Sequence, residues 1–171
     1  MIIRQATEKD IPAILDIFNE ALLNTTAVYA YKKATLKEQR EWYQHKNSEG
    51  YPVFIGEDAH GVIGYATYGP FRLRPAYKYT IELSVYVDHR FRNHGYGKQL
   101  LIKVIEHATQ KGYATMIAGI DSTNQASIAL HVACGFHYSG TITKAGYKFG
   151  KWLDLAFYQL DLKGPSNPTG K

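Results

Sequence analysis

The chain has 171 residues, of which 45% are hydrophobic, with a formal net charge of +5 and one cysteine. This length suits a single domain with its own core, and one cysteine excludes an intrachain disulfide and a cysteine metal cluster, which fits a reducing compartment. No run of about 18 apolar residues could cross a membrane, and the cations are scattered rather than gathered in a basic arm, which disfavours nucleic acid. We therefore expect a cytoplasmic protein with no membrane or nucleic-acid partner, whose modest positive charge suits a small phosphorylated ligand.

Apolar periodicity in the first half predicts strands interleaved with helices. Thr7 with Asp10, and Thr35 with Glu38, have the spacing of capping boxes and so mark the starts of two helices. The expected elements, in order, are a strand at residues 2–6, helices at 11–23 and 36–46, and a hairpin of strands at 53–57 and 62–68.

The second half has a clear alternation in "TIELSVYV", Thr80–Val87, which is typical of a strand with one buried face. The later expected elements are a helix from about residue 100 to Gly112, a strand at 114–120, a helix at 122–134 and a strand at 152–162. This order predicts an α/β class with a mixed sheet in one domain, residues 1–162. The tail at 163–171 has no apolar residue except proline, and we expect it to be disordered.

The stretch "RFRNHGYGKQLL", residues 90–101, lies between a strand and a helix. The first turn of a helix leaves about four N–H groups unpaired, and glycines let an anion approach them, so a phosphate is a natural occupant. A dinucleotide-binding motif would need glycine at Leu100, and a Walker A loop would need glycine at Arg92 and Ser or Thr at Gln99. Either a different phosphate site or a tight turn with solvated cations explains the pattern.

Three further stretches accompany this turn: "YTIELSVYV", "NQASIALHVACGF" and "GYKFGKWLDLAFYQLDL". With Arg92-x-x-Gly95-x-Gly97 as the acetyl-CoA motif, residues 2–162 resemble the GCN5-related N-acetyltransferases (GNAT), and within them the phosphinothricin and methionine sulfoximine acetyltransferase group. The resemblance implies the GNAT fold, a mixed and mostly antiparallel sheet of about seven strands that splays at the cofactor site, flanked by about four helices. It also implies a homodimer, because the group commonly pairs.

The resemblance implies acetyl-CoA as the co-substrate and no metal. The backbone amides of the turn would hold the pyrophosphate, Arg92 and Lys98 would add charge, and the strand would pair with the pantetheine arm. The implied cofactor-binding residues are Val85, Tyr86, Val87, Arg92, Asn93, His94, Gly95, Tyr96, Gly97, Lys98, Asn124 and Ser127.

Two residues are candidates for the chemistry. Glu82 matches the proposed base of the group, which would take a proton from the amine; the alternative is an ordinary glutamate facing solvent. His131 stands where the wider superfamily has a tyrosine that donates a proton to the leaving thiolate. It could donate that proton or assist the base, or it could be a core histidine bonded to a carbonyl.

The implied substrate is a small amino acid analogue of the phosphinothricin, methionine sulfoximine or methionine sulfone type, acetylated on its α-amino group by direct attack. Arginines in "GPFRLRPAY" would suit its carboxylate and side-chain oxygens, although a solvated loop explains them too. Alternatives are acetylation of protein N-termini or polyamines, and a non-catalytic CoA-binding module. The implied substrate-binding residues are Arg72, Leu73, Arg74, Glu82, Leu83 and Ser84.

Overall fold

The computed structural model describes residues 1–170 and contains one seven-stranded sheet with four α-helices. The helices are α1 (Ile11–Asn24), α2 (Leu36–Ser48), α3 (Tyr96–Gln110) and α4 (Gln125–Ala133). The strands are β1 (Ile2–Gln5), β2 (Val53–Asp58), β3 (Gly61–Pro70), β4 (Thr80–Val87), β5 (Thr115–Asp121), β6 (His137–Lys148) and β7 (Lys151–Asp161). The sheet order is β1-β2-β3-β4-β5-β7-β6, so the expected mixed, mostly antiparallel sheet is confirmed.

The sheet opens between its two central strands. β4 and β5 form its one parallel pairing, and they pair only from Thr80 to Glu82 against Thr115 to Ile117. β4 then continues to Val87, and β5 to Asp121, with no ladder between them. The expected splay is therefore present, and it leaves strand edges with unpaired backbone groups facing a gap.

Each face of the sheet carries its own core. On one face, α3 buries Leu100, Leu101 and Val104 completely against the strands, and each such side chain contributes about 1.5 to 3 kcal/mol. On the other face, α1 and α2 cover the second core, which includes Ile14 and Tyr65. Strand alternation decides which residues of β4 meet which helices, and Glu82, Ser84 and Tyr86 therefore share the α1 and α2 side.

One strand has no counterpart among the elements expected from the residues. β6 pairs along β7 as a long hairpin, and its side chains are mostly exposed on both faces. A strand exposed on both faces carries no apolar alternation that could predict it. The helix expected at 122–134 also starts later, at Gln125, because Asn124 is its N-cap and accepts a hydrogen bond from the Ser127 amide.

The C-terminal segment 163–170 forms no helix or strand but lies against the domain. The Gly164 amide donates to the Tyr113 carbonyl (3.2 Å), and Thr169 is bonded to Lys78 and Tyr79. Backbone bonds of this kind compensate for the lack of apolar residues. Lys171 lies outside the described residues, and disorder of the tail stays a prediction.

Candidate active site

The gap between β4 and β5 is a cleft made of two adjoining cavities. The inner cavity has a volume of about 360 Å³ and the outer cavity about 540 Å³. The two share lining residues from three elements: Ala27, Val85, Tyr86, Asn124 and Ser127. Glu82, Leu83, Ser84 and His131 line the inner cavity, while the glycine turn lines the outer one.

The turn before α3 shapes the outer cavity through its backbone. Asn93 and Gly95 have φ angles of 65° and 77°, so the chain reverses in the left-handed region, and Gly95 is the N-cap of α3. Helix α3 then starts at Tyr96 with its unpaired amides and positive dipole end beside the cavity. This arrangement of amides fits a phosphate group.

The charged side chains of the turn differ in their partners. Arg92 donates through Nη2 to Glu20 Oε2 (2.8 Å) and through Nε to the Val87 carbonyl (3.3 Å). Lys98 lines the outer cavity and makes no hydrogen bond or ion pair within residues 1–170. His94 is exposed, stacks on Tyr96 and does not line either cavity.

Glu82 lies where the two central strands part. Its carboxylate Oε1 is 3.6 Å from the position that a Cβ of Gly119 would take on β5, so the missing side chain leaves it room. The Glu82 side chain is exposed toward the cleft, yet burial by the cleft walls raises its pKa, against a lowering effect of the Arg72 charge. A carboxylate with a raised pKa is a better proton acceptor.

His131 is buried and points one ring nitrogen at a carbonyl. Nδ1 lies 2.7 Å from the Ser127 carbonyl oxygen, so it must carry the proton and donate. Nε2 is buried without a hydrogen-bond partner among residues 1–170, and the ring packs edge-on against Phe136. Burial lowers the pKa of His131, so the ring is neutral and its Nε2 offers a lone pair.

The loop after α1 covers the cleft, and contacts that the sequence did not reveal hold it. Lys148 Nζ donates to three carbonyls, those of Leu22 (2.5 Å), Thr25 (2.9 Å) and Val28 (2.7 Å). Thr26 donates to Asp121 at the end of β5. Thr26, Ala27 and Val28 line the inner cavity, and Thr25 and Ala27 line the outer one. Lys148, on the β6–β7 hairpin, therefore holds the loop that covers the site.

The expected arginine loop does not border the cleft. Arg72, Leu73 and Arg74 line neither cavity, and Leu73 is 91% exposed. The Arg72 guanidinium lies 5.1 Å from the centroid of the Phe71 ring, and its charge reaches Glu82. Of the expected substrate-binding residues, Glu82, Leu83 and Ser84 line the inner cavity. The other three, Arg72, Leu73 and Arg74, lie outside both cavities.

Residues 1–170 hold neither a metal-ion cluster nor a membrane-spanning helix. No three His, Cys, Asp or Glu side chains lie close enough to one another to hold a metal ion. In the same part of the chain, every helix is too short or too polar to span a bilayer.

Comparison with known proteins gives the same family from sequence and from structure. Residues 3–157 match the model of the acetyltransferase (GNAT) domain family. The L-methionine sulfoximine/L-methionine sulfone acetyltransferase of Pseudomonas aeruginosa is 44% identical over 161 residues, which cover 94% of this chain and 94% of that protein. The match thus extends over nearly the whole of both chains.

Solved structures share the fold closely. A GNAT superfamily phosphinothricin acetyltransferase from Sinorhizobium meliloti in complex with acetyl-CoA has a TM-score of 0.94 and 35% identity, over 99% of this chain and 93% of that one. A ribosomal-protein-alanine N-acetyltransferase from Brucella melitensis has a TM-score of 0.93 and 44% identity, over 95% and 100%. These names differ in acceptor and agree in acetyl transfer to an amine.

Proposed function

Because this chain belongs to the GNAT family and is an acetyl-CoA-dependent acyltransferase, we propose that it acetylates the α-amino group of a small amino acid analogue, of the methionine sulfoximine, methionine sulfone or phosphinothricin type. The observation that carries this is the place of Glu82, in the inner cavity and next to the outer cavity that suits the cofactor. An inner cavity of about 360 Å³ fits a single amino acid rather than a peptide.

We propose one orientation for acetyl-CoA in the outer cavity. Amides from Asn93 to Lys98 would hold the pyrophosphate, and Lys98, which has no protein partner within 1–170, would add charge. The edge of β4 at Val85 and Val87, which has no ladder to β5, would bond the pantetheine arm as a strand would. The thioester would then reach the inner cavity past Asn124 and Ser127, which border both cavities.

The proposed reaction is direct attack of the amine on the thioester carbon in a ternary complex. An α-amine with a pKa near 8 is only about one-tenth neutral at pH 7, so a base is useful. Glu82, whose pKa is raised by burial, takes the ammonium proton. The amine nitrogen forms the new C–N bond, the C–S bond breaks, and CoA leaves as a thiolate that takes up a proton.

His131 is better placed to accept a hydrogen bond than to donate a proton. Its Nδ1–H is committed to the Ser127 carbonyl (2.7 Å), and the neutral ring has no proton on Nε2 to give. His131 lines the inner cavity, and we propose that its buried Nε2 accepts a hydrogen bond from a ligand bound there. The bond to a carbonyl agrees with the alternative of a core histidine, and a part for His131 in proton transfer stays a prediction.

The decisive experiment measures thiol release from acetyl-CoA with a panel of amines, for the wild type and for Glu82→Gln between pH 5.5 and 9. We expect kcat to fall at least about 100-fold in the variant, with little change in the KM for acetyl-CoA. If Glu82→Gln keeps its rate and pH profile, Glu82 is not the base.

The same panel distinguishes the alternatives. Turnover of an alanyl peptide or a polyamine, without turnover of free amino acids, would support a peptide or polyamine acetyltransferase instead. Tight CoA binding with no turnover of any amine would support a non-catalytic module. The cytoplasmic location expected from the single cysteine stays a prediction.

We also propose that two copies pair through the β6–β7 hairpin. β6 is an edge strand, and the hairpin exposes apolar side chains by 48% to 59%: Tyr138, Ile142, Tyr147, Phe149 and Trp152. Such a surface at an open edge is typical of an interface.

Light scattering after size exclusion chromatography tests the dimer. The wild type should have twice the 19.3 kDa mass of one chain, and Trp152→Glu should have the mass of the monomer. A monomeric wild type would contradict the proposal.

A further inference from the structure

A third cavity, the α2 cavity, lies between α2 and the sheet and takes no part in the proposed binding of acetyl-CoA or in the proposed proton transfer. Its volume is about 270 Å³, and it shares Ser84 and Tyr86 with the inner cavity. Trp42, Tyr65 and Tyr86 give it aromatic walls. Ser84 follows Glu82 by two residues on the same face of β4, a separation of about 7 Å, so the α2 cavity begins one side-chain length from the proposed base.

Gln39 is a polar side chain that the fold leaves without a partner. It is 5% exposed, and its amide makes no hydrogen bond to any residue in 1–170. The other buried polar side chains of the described chain each make at least one: Asp10, Thr67, Asp88, Asp121, His131 and Lys148. His131 Nε2 is the one side-chain N or O atom of residues 1–170 that is both fully buried and unpartnered, so the Gln39 amide keeps some accessible surface. It can therefore offer a donor and an acceptor to an occupant of the cavity that Gln39 lines.

Lys46 brings a partly used ammonium to the same cavity. Its Nζ makes one protein hydrogen bond within residues 1–170, to the Tyr68 carbonyl (2.8 Å), and an ammonium has three donors. Nζ also lies 2.9 Å from the position of a Cβ on Gly69, and Gly69 is the cross-strand partner of Glu82. The absent side chain at Gly69 therefore leaves room for the ammonium above the β3 residue that pairs with Glu82.

We propose that the α2 cavity receives the side chain of the amino acid acetylated at Glu82, and that Lys46 and Gln39 donate hydrogen bonds to an acceptor group at its end. The proposal rests on the proposed function and deepens it. The aromatic walls fit a short unbranched apolar stem, and the two donors fit sulfonyl, sulfoximine or phosphinyl oxygens. Arg72 and Arg74 lie outside both cleft cavities, so Lys46 replaces them in this role.

The charge of the cavity selects among such groups. Glu38 also borders it, with Oε2 held by the Thr35 amide (2.7 Å). One carboxylate opposes one ammonium, so the cavity has little net charge. A neutral sulfone or sulfoximine is therefore favoured over an anionic phosphinate of the same length.

The test compares L-methionine sulfone with L-norleucine, which has a similar stem and no acceptor. We expect Lys46→Met and Gln39→Leu each to lower the preference in kcat/KM for the sulfone by about tenfold or more. The loss should lie in the KM for the sulfone, while values for norleucine and the KM for acetyl-CoA stay unchanged. Gly69→Ala, which crowds Nζ, should give a smaller loss in the same direction.

The matched control is Lys37→Met, which removes an exposed lysine of the same helix and should keep the preference. An unchanged preference in both Lys46→Met and Gln39→Leu would overturn the proposal, and so would an equal loss for norleucine, because packing alone would then explain it. Either result leaves the proposed acetyl transfer intact.

A binding measurement separates the two proposals. The chain has two tryptophans, so in a Trp152→Phe background the emission comes from Trp42 in the cavity wall. We expect saturable quenching by methionine sulfone in the presence of CoA, weakened by Lys46→Met. That result without turnover would end the catalytic proposal and keep this one; no quenching at millimolar sulfone would end this one.

Discussion

Lys148 and Lys46 both donate hydrogen bonds to backbone carbonyls of other elements, and they differ in how many of their donors the protein uses. Lys148 is 6% exposed, and all three N–H groups reach carbonyls at the end of α1 and in the loop that follows. Lys46 reaches one carbonyl and faces a cavity with the rest. The difference suggests opposite uses: a saturated ammonium stabilises structure, and an unsaturated one can bind a ligand.

The largest expected effect comes from replacing Lys148, the lysine whose three donors are all used. Lys148→Met leaves three carbonyls without their donor, so we expect the free energy of unfolding to fall by about 3 kcal/mol. Urea denaturation followed by circular dichroism measures this, and the KM for acetyl-CoA should rise because Thr25 and Ala27 of the loop line the outer cavity. Lys151→Met, an exposed lysine of the same hairpin, should change stability by less than about 0.5 kcal/mol.

The second prediction is that replacing Lys46 changes the free energy of unfolding far less than replacing Lys148. Lys46→Met removes one hydrogen bond and leaves an apolar side chain among Trp42 and Tyr51, so the free energy of unfolding should change by less than about 1 kcal/mol. The same urea experiment applies. A loss as large as that of Lys148→Met would show that the two lysines are both structural, and the comparison would fail.

A third prediction uses pH. Burial lowers the pKa of Lys46 to about 8, so the ammonium loses its proton between pH 7 and 9 in the folded protein. The ratio of kcat/KM for methionine sulfone over norleucine should therefore decline across that window in the wild type and stay flat in Lys46→Met. The ratio cancels the titration of the amine and of Glu82, which both substrates share.

The other ionisable groups around Lys46 do not titrate in this window. The pKa of Glu38 is lowered, chiefly by the hydrogen bond from the Thr35 amide, and burial raises the pKa values of Tyr51, Tyr65 and Tyr86 above 10. The stability of the wild type should also rise from about pH 8 toward 10.5, because the unfolded chain holds the Lys46 proton that the folded chain has lost. A wild-type ratio that is flat from pH 7 to 9 would contradict the assignment.

The smallest effect concerns a cation outside the cleft cavities. The charge of Arg72 opposes the rise in the Glu82 pKa that burial causes, so Arg72→Ala should move the acid limb of kcat/KM to higher pH. Arg74→Ala is the matched control, with no expected shift. If both variants instead raise the KM for the amino acid without moving the limb, Arg72 and Arg74 contact the substrate directly.

Local chemistry made the cofactor side predictable from the sequence. The left-handed backbone at Gly95 favours glycine, and β4 alternates apolar with polar residues, so both features are visible in the sequence. Family resemblance then added Glu82 and His131, and the structure places both on the inner cavity. The tautomer of His131 could not be foreseen, because it depends on the Ser127 carbonyl one helical turn away.

Tertiary packing decides the features that the sequence concealed. Lys46 lies in a polar helix where any lysine would be taken as solvated, and its burial depends on Gly69 in another element. β6 has two register irregularities, at Tyr138/Gly140 and Ile142/Gly146, which interrupt the two-residue period. Lys148 ends that strand, so its contacts with α1 and with the loop after it span 120 to 126 residues of sequence.

The short pairing of β4 with β5 has a mechanical consequence. Three residue pairs join the two halves of the sheet at one end of the cleft, and Lys148 joins the last hairpin to the end of α1 across it. The gap is thus anchored at both ends, and it can widen only by unzipping a ladder or by pulling an ammonium out of its carbonyls. We therefore expect the width of the gap to change little when acetyl-CoA binds.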